Sequence, residues 1–590
     1  MDVVMSTATA IAAARAFIAE DFDTQTVAEL NGLVQAAEAN DARAIAELTD
    51  RFAATLQFGT AGLRGRVEAG TNRMNRVIVA KATWGLGAFL LEGAKAFGVD
   101  VKKQGVVIAF DGRLSSRTFA EDAAAILAGQ GIPVHMFPDP QPTPVCAFAV
   151  ADLGAAAGIM VTASHNPPAD NGYKVYWANA AQIIPPVEGA ITDAIARAPL
   201  ANTITRIHAP DAFAAGLRHL IGDDLGQRYL AAISALAWHK PNETGLPIVH
   251  TATPLRIVYT AMHGVGHFMT VRALQQAGFE GVVVEPTQTD PDGTFRTVAF
   301  PNPEEKGALD RAIQKAVEVD ADCILANDPD ADRLAVAVKV PGGYRTLSGN
   351  EIGVLLCHDA LVHANAGGKK RLVITTIVSS TMLSRIARDL GAEYDEVLTG
   401  FKWIANKAME READCYFCGG YEEAIGFSIG PIVRDKDGVG AAVRMALLLR
   451  SLKAKGQSAL DRLDELAIAH GLSNGTQWSV TMPGLDGSSR IAGIMQTLRD
   501  RPETIAGLNG SKVVRRIDLK GATIPADVVV LHTEDGARLT VRPSGTEPKI
   551  KLYLELVEQV PDQASLAAAR IRLSAKAVTI QTEVKAALGV

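Results

Sequence analysis

Apolar residues recur along this chain with two spacings, and the changes between them divide it into rounds. In the first fifty-odd residues the spacing is helical, clearest over 26–52, and predicts helices there. From residue 106 short apolar runs alternate with amphipathic stretches. Residues 106–110 read as a strand, Asp111-Gly112-Arg113 as a turn, and Ser115 or Ser116 as the cap of a helix running to Gly129. A strand at 132–137 follows, then an apolar run ending at Val161 and a second one starting near Lys174. The alternation restarts at 255–260, with a helix to about Gly278, a strand at 281–285, a helix from Gly307 and a strand at 322–326. A third round from Gly349 carries strands at 371–378 and 394–398. After residue 470 strand-like stretches at 477–482, 512–519, 527–532 and 549–556 come close together, and a long helix starts at Gln563.

Strands alternating with helices at this spacing predict α/β domains, and the last stretch predicts a smaller α+β domain with a mainly antiparallel sheet. A chain of 590 residues exceeds one core and suggests about four domains. The expected division is 1–210 for a helical extension plus α/β domain I, 211–342 for domain II, 343–470 for domain III and 471–590 for domain IV.

Composition changes this picture little. The formal net charge is -7, so nothing suggests a nucleic-acid or membrane partner, and any phosphate binding must be local. Five scattered cysteines make no disulfide framework, which suits a reducing cytoplasm. Cys415 and Cys418 lack the second pair a zinc site needs and read as core-strand residues. The N-terminus lacks the basic start of a signal peptide, and no apolar run approaches the roughly 20 residues that span a bilayer. A soluble, cytoplasmic protein is expected.

Six stretches carry candidate chemistry. Between the two apolar runs of domain I, Ser164 sits between Ala163 and His165 and is followed by Asn166-Pro167-Pro168. The prolines bar helix, so a stiff loop presents a hydroxyl at a strand end. Such a hydroxyl is a candidate nucleophile or phosphate carrier; a plain turn between two strands is the rival reading. Asp328, Asp330 and Asp332 alternate in the loop after a strand, a spacing that lets three carboxylates converge on one hard cation such as magnesium or calcium, with Arg333 ready for an anion. An EF-hand is excluded because Arg333 and Lys339 stand where it needs Gly and Glu. Glu422 and Glu423 lie in a glycine-bounded loop suited to sugar hydroxyls, or to a solvated acidic turn. Lys402 lies at a strand-to-helix turn. Arg542, Ser544, Gly545 and Thr546 have the composition of a phosphate cradle. Upstream, Gln57 to Arg66 is a glycine-spaced loop with Arg64 and Arg66.

Thr162-Ala-Ser-His-Asn-Pro, Asp328-Pro-Asp-Ala-Asp-Arg333, Glu422-Glu423 in a glycine loop and Arg542-Pro-Ser-Gly-Thr-Glu-Pro occur in this order at domain-sized intervals. Together they resemble the α-D-phosphohexomutase superfamily, the phosphoglucomutases and phosphomannomutases. Phe58-Gly-Thr-Ala-Gly-Leu-Arg-Gly65, Pro301-Asn-Pro-Glu-Glu-Lys306, Glu422-Glu-Ala-Ile-Gly426 and Asp435-Lys-Asp-Gly438 look like the branch with the type-2 phosphoglucomutases and phosphopentomutases.

The resemblance implies four domains around a central cleft, three similar α/β domains and a smaller fourth. It implies that Ser164 is the phosphorylated serine and, with Asp328, Asp330 and Asp332, a ligand of one Mg2+ per subunit. Arg64, Lys174 and His165 would flank the reacting group; Arg333, Lys402, Glu422 and Glu423 would meet the sugar; Arg542, Ser544, Gly545 and Thr546 would hold the non-reacting phosphate. The implied activity moves a phosphoryl group between C1 and C6 of glucose phosphate, or mannose phosphate, through a phosphoserine and a sugar bisphosphate, with a sugar 1,6-bisphosphate as activator. Ala424 replaces a serine common in the family, and phosphopentomutase activity on ribose or deoxyribose 1-phosphate is the alternative. A phosphatase is disfavoured by a cleft that excludes water, and a silent sugar-phosphate binder by the completeness of the site. Oligomeric state stays open.

Overall fold

The computed structural model describes residues 5–56, 62–236, 254–482, 487–544 and 549–590. Gly545, Thr546 and the Gln57 to Ala61 part of the glycine-spaced loop lie outside the described residues. Two units are distinguished: Met1–Leu347 with Gly426–Leu447, and Ser348–Ile425 with Leu448–Val590.

The first unit opens with the expected helices, Thr7–Glu20, Thr24–Glu38 and Ala42–Phe52, capped by the side chains of Ser6, Asp23 and Asp41. Their apolar faces bring Phe17, Leu30, Val34, Leu48 and Phe52 into one core with Val77, Ala80 and Ile126 of the following domain. The extension therefore packs on domain I. Phe17 meets Phe52 edge-on at 5.9 Å between ring centres, and truncating such a buried ring to alanine costs about 3–5 kcal/mol.

Domain I holds a six-stranded sheet of β1 (Leu63–Arg66), β2 (Val106–Phe110), β3 (Val134–Met136), β4 (Ala157–Val161), β5 (Asp170–Trp177) and β6 (Arg218–Leu220), in the order β1-β5-β4-β2-β3-β6. The β4, β2, β3 and β6 strands are parallel, and β5 runs antiparallel to both β4 and β1. Every residue of β2 and β4 is buried, which explains their continuous apolar runs. The sheet includes a sixth strand, β6, which lies beyond residue 210 and bonds to β3. One expectation is corrected. Ser115 stands at the N-cap of helix Ser116–Gly129 without a capping bond, since its backbone is already helical. The Ser116 hydroxyl instead donates to Asp111 at 2.6 Å.

The second sheet comprises β7 (Ile257–Thr260), β8 (Val282–Val284), β9 (Cys323–Ala326), β10 (Ala335–Val340) and β11 (Gly343–Thr346), ordered β11-β10-β9-β7-β8. Its β9-β7-β8 part is parallel, as the alternation predicts. The β10–β11 hairpin was not anticipated; Gly342, at φ 86°, makes its tight turn.

In the second unit, β12 (Lys370–Thr376) lies between β13 (Glu393–Val397) and β14 (Cys415–Glu422), all parallel. Cys415 and Cys418 are buried within β14 as free thiols. The chain then re-enters the first unit with β15 (Gly426–Ile429), where Gly426 bridges to Arg333. The last sheet is wholly antiparallel: β16 (Leu472–Thr481), β17 (Gly507–Leu508), β18 (Ser511–Asp518), β19 (Val529–Thr533), β20 (Arg538–Pro543) and β21 (Lys549–Glu558), in the order β16-β21-β20-β19-β18-β17. Helix Gln563–Leu588 buries Leu566, Ala569, Leu573, Ala577, Ile580 and Val584, one apolar stripe at three- and four-residue steps. No helix among the described residues is long and apolar enough to cross a membrane.

Candidate active site

Parallel strands leave their carboxyl ends free for loops, and two such loops meet in the first unit. Ser164 lies three residues beyond β4 and Asp328 two beyond β9. The Ser164 hydroxyl donates to Asp328 Oδ2 at 2.6 Å. Ser164 itself is held at φ 52°, a left-handed conformation that non-glycine residues seldom adopt. Its N–H donates to the Thr162 hydroxyl at 2.8 Å, and Thr162 donates to Asp111 at 2.7 Å.

The acidic loop is braced from all sides. Asn327 accepts from the hydroxyls of Tyr259 and Thr270 and donates to the Arg333 carbonyl at 2.6 Å. Thr143 donates its hydroxyl to Asp330 at 2.7 Å and its N–H to the Asp330 carbonyl at 2.8 Å. Gly264 lies so close to Pro329 that an added Cβ would sit 2.4 Å from Pro329 Cα. One oxygen from each of Asp328, Asp330 and Asp332 lies within 4.8 Å of the others, and all three residues are buried. Asp330 Oδ1 and Asp332 Oδ1 have no hydrogen-bond partner among the described residues. Buried carboxylate oxygens left this way cost free energy unless a cation meets them, so the set fits a hard divalent ion.

The same charges organise the basic groups. Lys174, 1% exposed, donates to Asp330 at 2.8 Å and to Asp332 at 2.9 Å. Burial alone would lower its pKa, but these two carboxylates raise it, and the ammonium is retained. Burial also drives Asp328 well above the usual carboxylate range, with Asp330 and Asp332 adding to the shift. Burial would push Asp330 the same way, but Lys174 holds it low. His165 brings Nδ1 within 3.3 Å of the Ser164 hydroxyl. Burial, reinforced by Arg333 and Arg64, pulls its pKa well down and leaves the ring neutral. Arg64 stands on β1, where its register partner is Gly172, and burial lowers its pKa against the pull of Asp330 and Asp332. Arg333 lies 3.9 Å from Asp332.

The remaining candidates lie in the second unit. Glu422 ends β14, and its Oε1 accepts the Gly400 N–H at 2.8 Å. Lys402 is buried in the first turn of helix Phe401–Glu410, with Nζ 5.7 Å from the Trp403 ring. Glu423 lies 3.4 Å from the Thr376 hydroxyl. Arg542, on β20, bonds the Tyr553 hydroxyl, while its Nε is buried without a partner among the described residues. The Ser544 N–H donates to the Lys549 carbonyl at 2.8 Å.

Several residues around Ser164 were not singled out from sequence. Asp111, Thr143 and Thr162 hold the two loops through side chains that look like ordinary turn residues in a string of letters. Arg113 donates to four carbonyls of the Ser164 loop. Lys436, inside Asp435-Lys-Asp-Gly438, brings Nζ 3.1 Å from Asp332. Its signal was present in that motif, but the motif points to no partner until the chain folds.

Models of the phosphoglucomutase/phosphomannomutase family match this chain in order: alpha/beta/alpha domain I at residues 55–201, domain II at 228–342, domain III at 348–467 and the C-terminal domain at 495–571. The chain belongs to this family, and it is a phosphomutase, an intramolecular phosphotransferase. It is 40% identical over 496 residues to the "Probable phosphomannomutase" of Haemophilus influenzae, covering 83% of this chain and 94% of that one. It is 35% identical to the human phosphopentomutase, with 86% of each chain covered. With human "Glucose 1,6-bisphosphate synthase" it shares 33% identity over 88% of this chain and 86% of that one. Among solved structures, the open form of the Paramecium phosphoglucomutase pp63/parafusin shares the fold, with a TM-score of 0.65 at 17% identity, covering 91% of this chain and 97% of that one.

Proposed function

We propose that this phosphomutase interconverts the 1-phosphate and 6-phosphate of a hexose, glucose or mannose, with Ser164 as the phosphoryl carrier and a sugar 1,6-bisphosphate as intermediate and activator. The observation that carries this reading is the 2.6 Å contact of the Ser164 hydroxyl with one of three buried carboxylates that fit a cation. In the first half-reaction the free sugar hydroxyl attacks the phosphorus on Ser164. The new P–O bond forms as the bond from phosphorus to Oγ breaks, and the hydroxyl proton ends on the released Ser164 oxygen. Neutral His165, 3.3 Å from that oxygen, can relay it. The bisphosphate then returns its other phosphoryl group to Ser164 by the reverse chemistry.

Arg64 and Lys174 offset charge on the transferring group. Asp328, Asp330 and Asp332 hold one Mg2+, with Ser164 completing the set, and the ion when bound supplies Lewis-acid stabilisation of that charge. Arg542 and Ser544, with Gly545 and Thr546, bind the phosphate that does not react. Glu422, Glu423, Lys402 and Arg333 bind the sugar.

A second reading, phosphopentomutase activity on ribose or deoxyribose 1-phosphate, is favoured by Ala424, which lacks a hydroxyl for the sugar. The human and mouse relatives named phosphopentomutase support it. The test compares kcat/KM for glucose 1-phosphate, mannose 1-phosphate and ribose 1-phosphate with magnesium and trace bisphosphate, using Ser164→Ala as control. A hexose preference lost in the control supports the first reading and a strong ribose preference the second; full activity in Ser164→Ala would end both.

A further inference from the structure

Four main-chain carbonyls of the Ser164 loop converge on one side chain from outside that loop. Arg113, 4% exposed, donates Nη2 to the carbonyls of Ser164 at 2.6 Å and Asn166 at 2.7 Å. Its Nη1 donates to those of Pro167 at 2.8 Å and Asp170 at 2.9 Å. Converging carbonyl dipoles repel, and a planar cation with forked donors is the side chain that can satisfy all four at once. Asp111 Oδ2 lies 3.2 Å from Arg113 Nε and accepts the Thr162 hydroxyl, which in turn takes the Ser164 N–H. The Phe295 ring closes the other side, 5.1 Å from the guanidinium carbon. Ser164 is thus gripped at its carbonyl by Arg113 and at its N–H by Thr162, and Asp111 joins the two. The left-handed backbone at Ser164 is unfavourable for a residue with a Cβ and persists only where neighbours over-determine it.

We infer that Arg113, joined through Asp111 to Thr162, is the positioning residue of the reactive serine: it sets where Oγ and the phosphoryl group it carries point, and touches neither substrate nor the acidic loop. This rests on Ser164 as the phosphoryl carrier. A lysine at 113 keeps the charge but cannot form the four-carbonyl fork, so charge alone does not preserve the geometry.

The experiment labels the full-length protein with a 32P-labelled sugar bisphosphate, maps the label, and follows single-turnover transfer from the protein to unlabelled sugar phosphate. Wild-type label away from Ser164 would end the carrier reading itself, whatever the variants do. With label on Ser164, Arg113→Lys is expected to slow transfer about 100-fold, as misplacement of a reacting group by ~1 Å does, with KM within about threefold. Added guanidinium should restore much of the rate in Arg113→Ala, which a general loss of folding would not allow. Thr162→Val removes the acceptor for the Ser164 N–H without touching Arg113, and slows transfer while Thr162→Ser restores it. The neighbouring, more exposed Arg117→Lys serves as control and stays at the wild-type rate. Wild-type transfer in Arg113→Lys, or in a folded Thr162→Val, would overturn this role.

Discussion

The Ser164 hydroxyl and Asp328 Oδ2, 164 residues apart in the chain, lie 2.6 Å apart beyond the ends of strands in two different sheets. That contact joins the nucleophile candidate to the cation candidate, and the charges around it lead to specific expectations.

Lys174 and a bound cation would share Asp330 and Asp332. Lys174→Met leaves buried Asp330 without its ammonium and Asp332 with Lys436 alone, a loss of about 3–5 kcal/mol for a broken buried pair. Melting curves in chelator should show the variant well below wild type, and Mg2+ should raise its Tm more than that of wild type. An equal Mg2+ shift in both proteins would mean that lysine and ion do not share those oxygens.

Gly264 is a contact residue for the acidic loop. The alanine Cβ would stand 2.4 Å from Pro329 Cα and 2.5 Å from its carbonyl oxygen, and backbone cannot yield as a side-chain tip can. Gly264→Ala should cost about 1–3 kcal/mol and weaken Mg2+ binding in a calorimetric titration. Gly281→Ala, whose Cβ meets nothing within 4 Å, should do neither.

Acid should weaken the protein partly through His358. Burial, with Arg462 nearby, lowers its pKa to about 4 from 6.5. Between those values the unfolded chain binds the proton and the folded one resists it, so stability falls as pH drops from 6.5 to 4. The contribution is at most about 2–3 kcal/mol. Urea unfolding at pH 7, 5.5 and 4 should show a shallower loss in His358→Gln; the same slope in both would rule the residue out.

Ala424 sits half-buried in the turn after β14, between Glu423 and Ile425. If the missing hydroxyl bears on sugar choice, Ala424→Ser should raise kcat/KM for glucose 1-phosphate relative to ribose 1-phosphate severalfold, the value of one net hydrogen bond of about 1 kcal/mol. An unchanged ratio would make the position irrelevant to specificity.

Local order alone made much of this protein legible. Apolar periodicity located the N-terminal helices, β2, β4, β9, β12 and the terminal helix, because buried strands and amphipathic helices must carry those spacings to form a core. It missed β10 and β11, a hairpin that closes one edge of its sheet, and it stopped the first sheet near residue 210, because the three-residue β6 is too short to show a period. The prolines after Ser164 and the alternate aspartates were visible as chemistry for the same reason: their meaning lies within a few residues. Arg113, Asp111, Thr143 and Lys436 were not, since each acquires its role from atoms roughly fifty to two hundred positions away. The sequence by itself determined most of the elements and the family; the pairing of Ser164 with Asp328, the ammonium of Lys174 between two carboxylates and the grip of Arg113 were decided only by the tertiary structure, because distance between charges in space is not a property of distance along a chain.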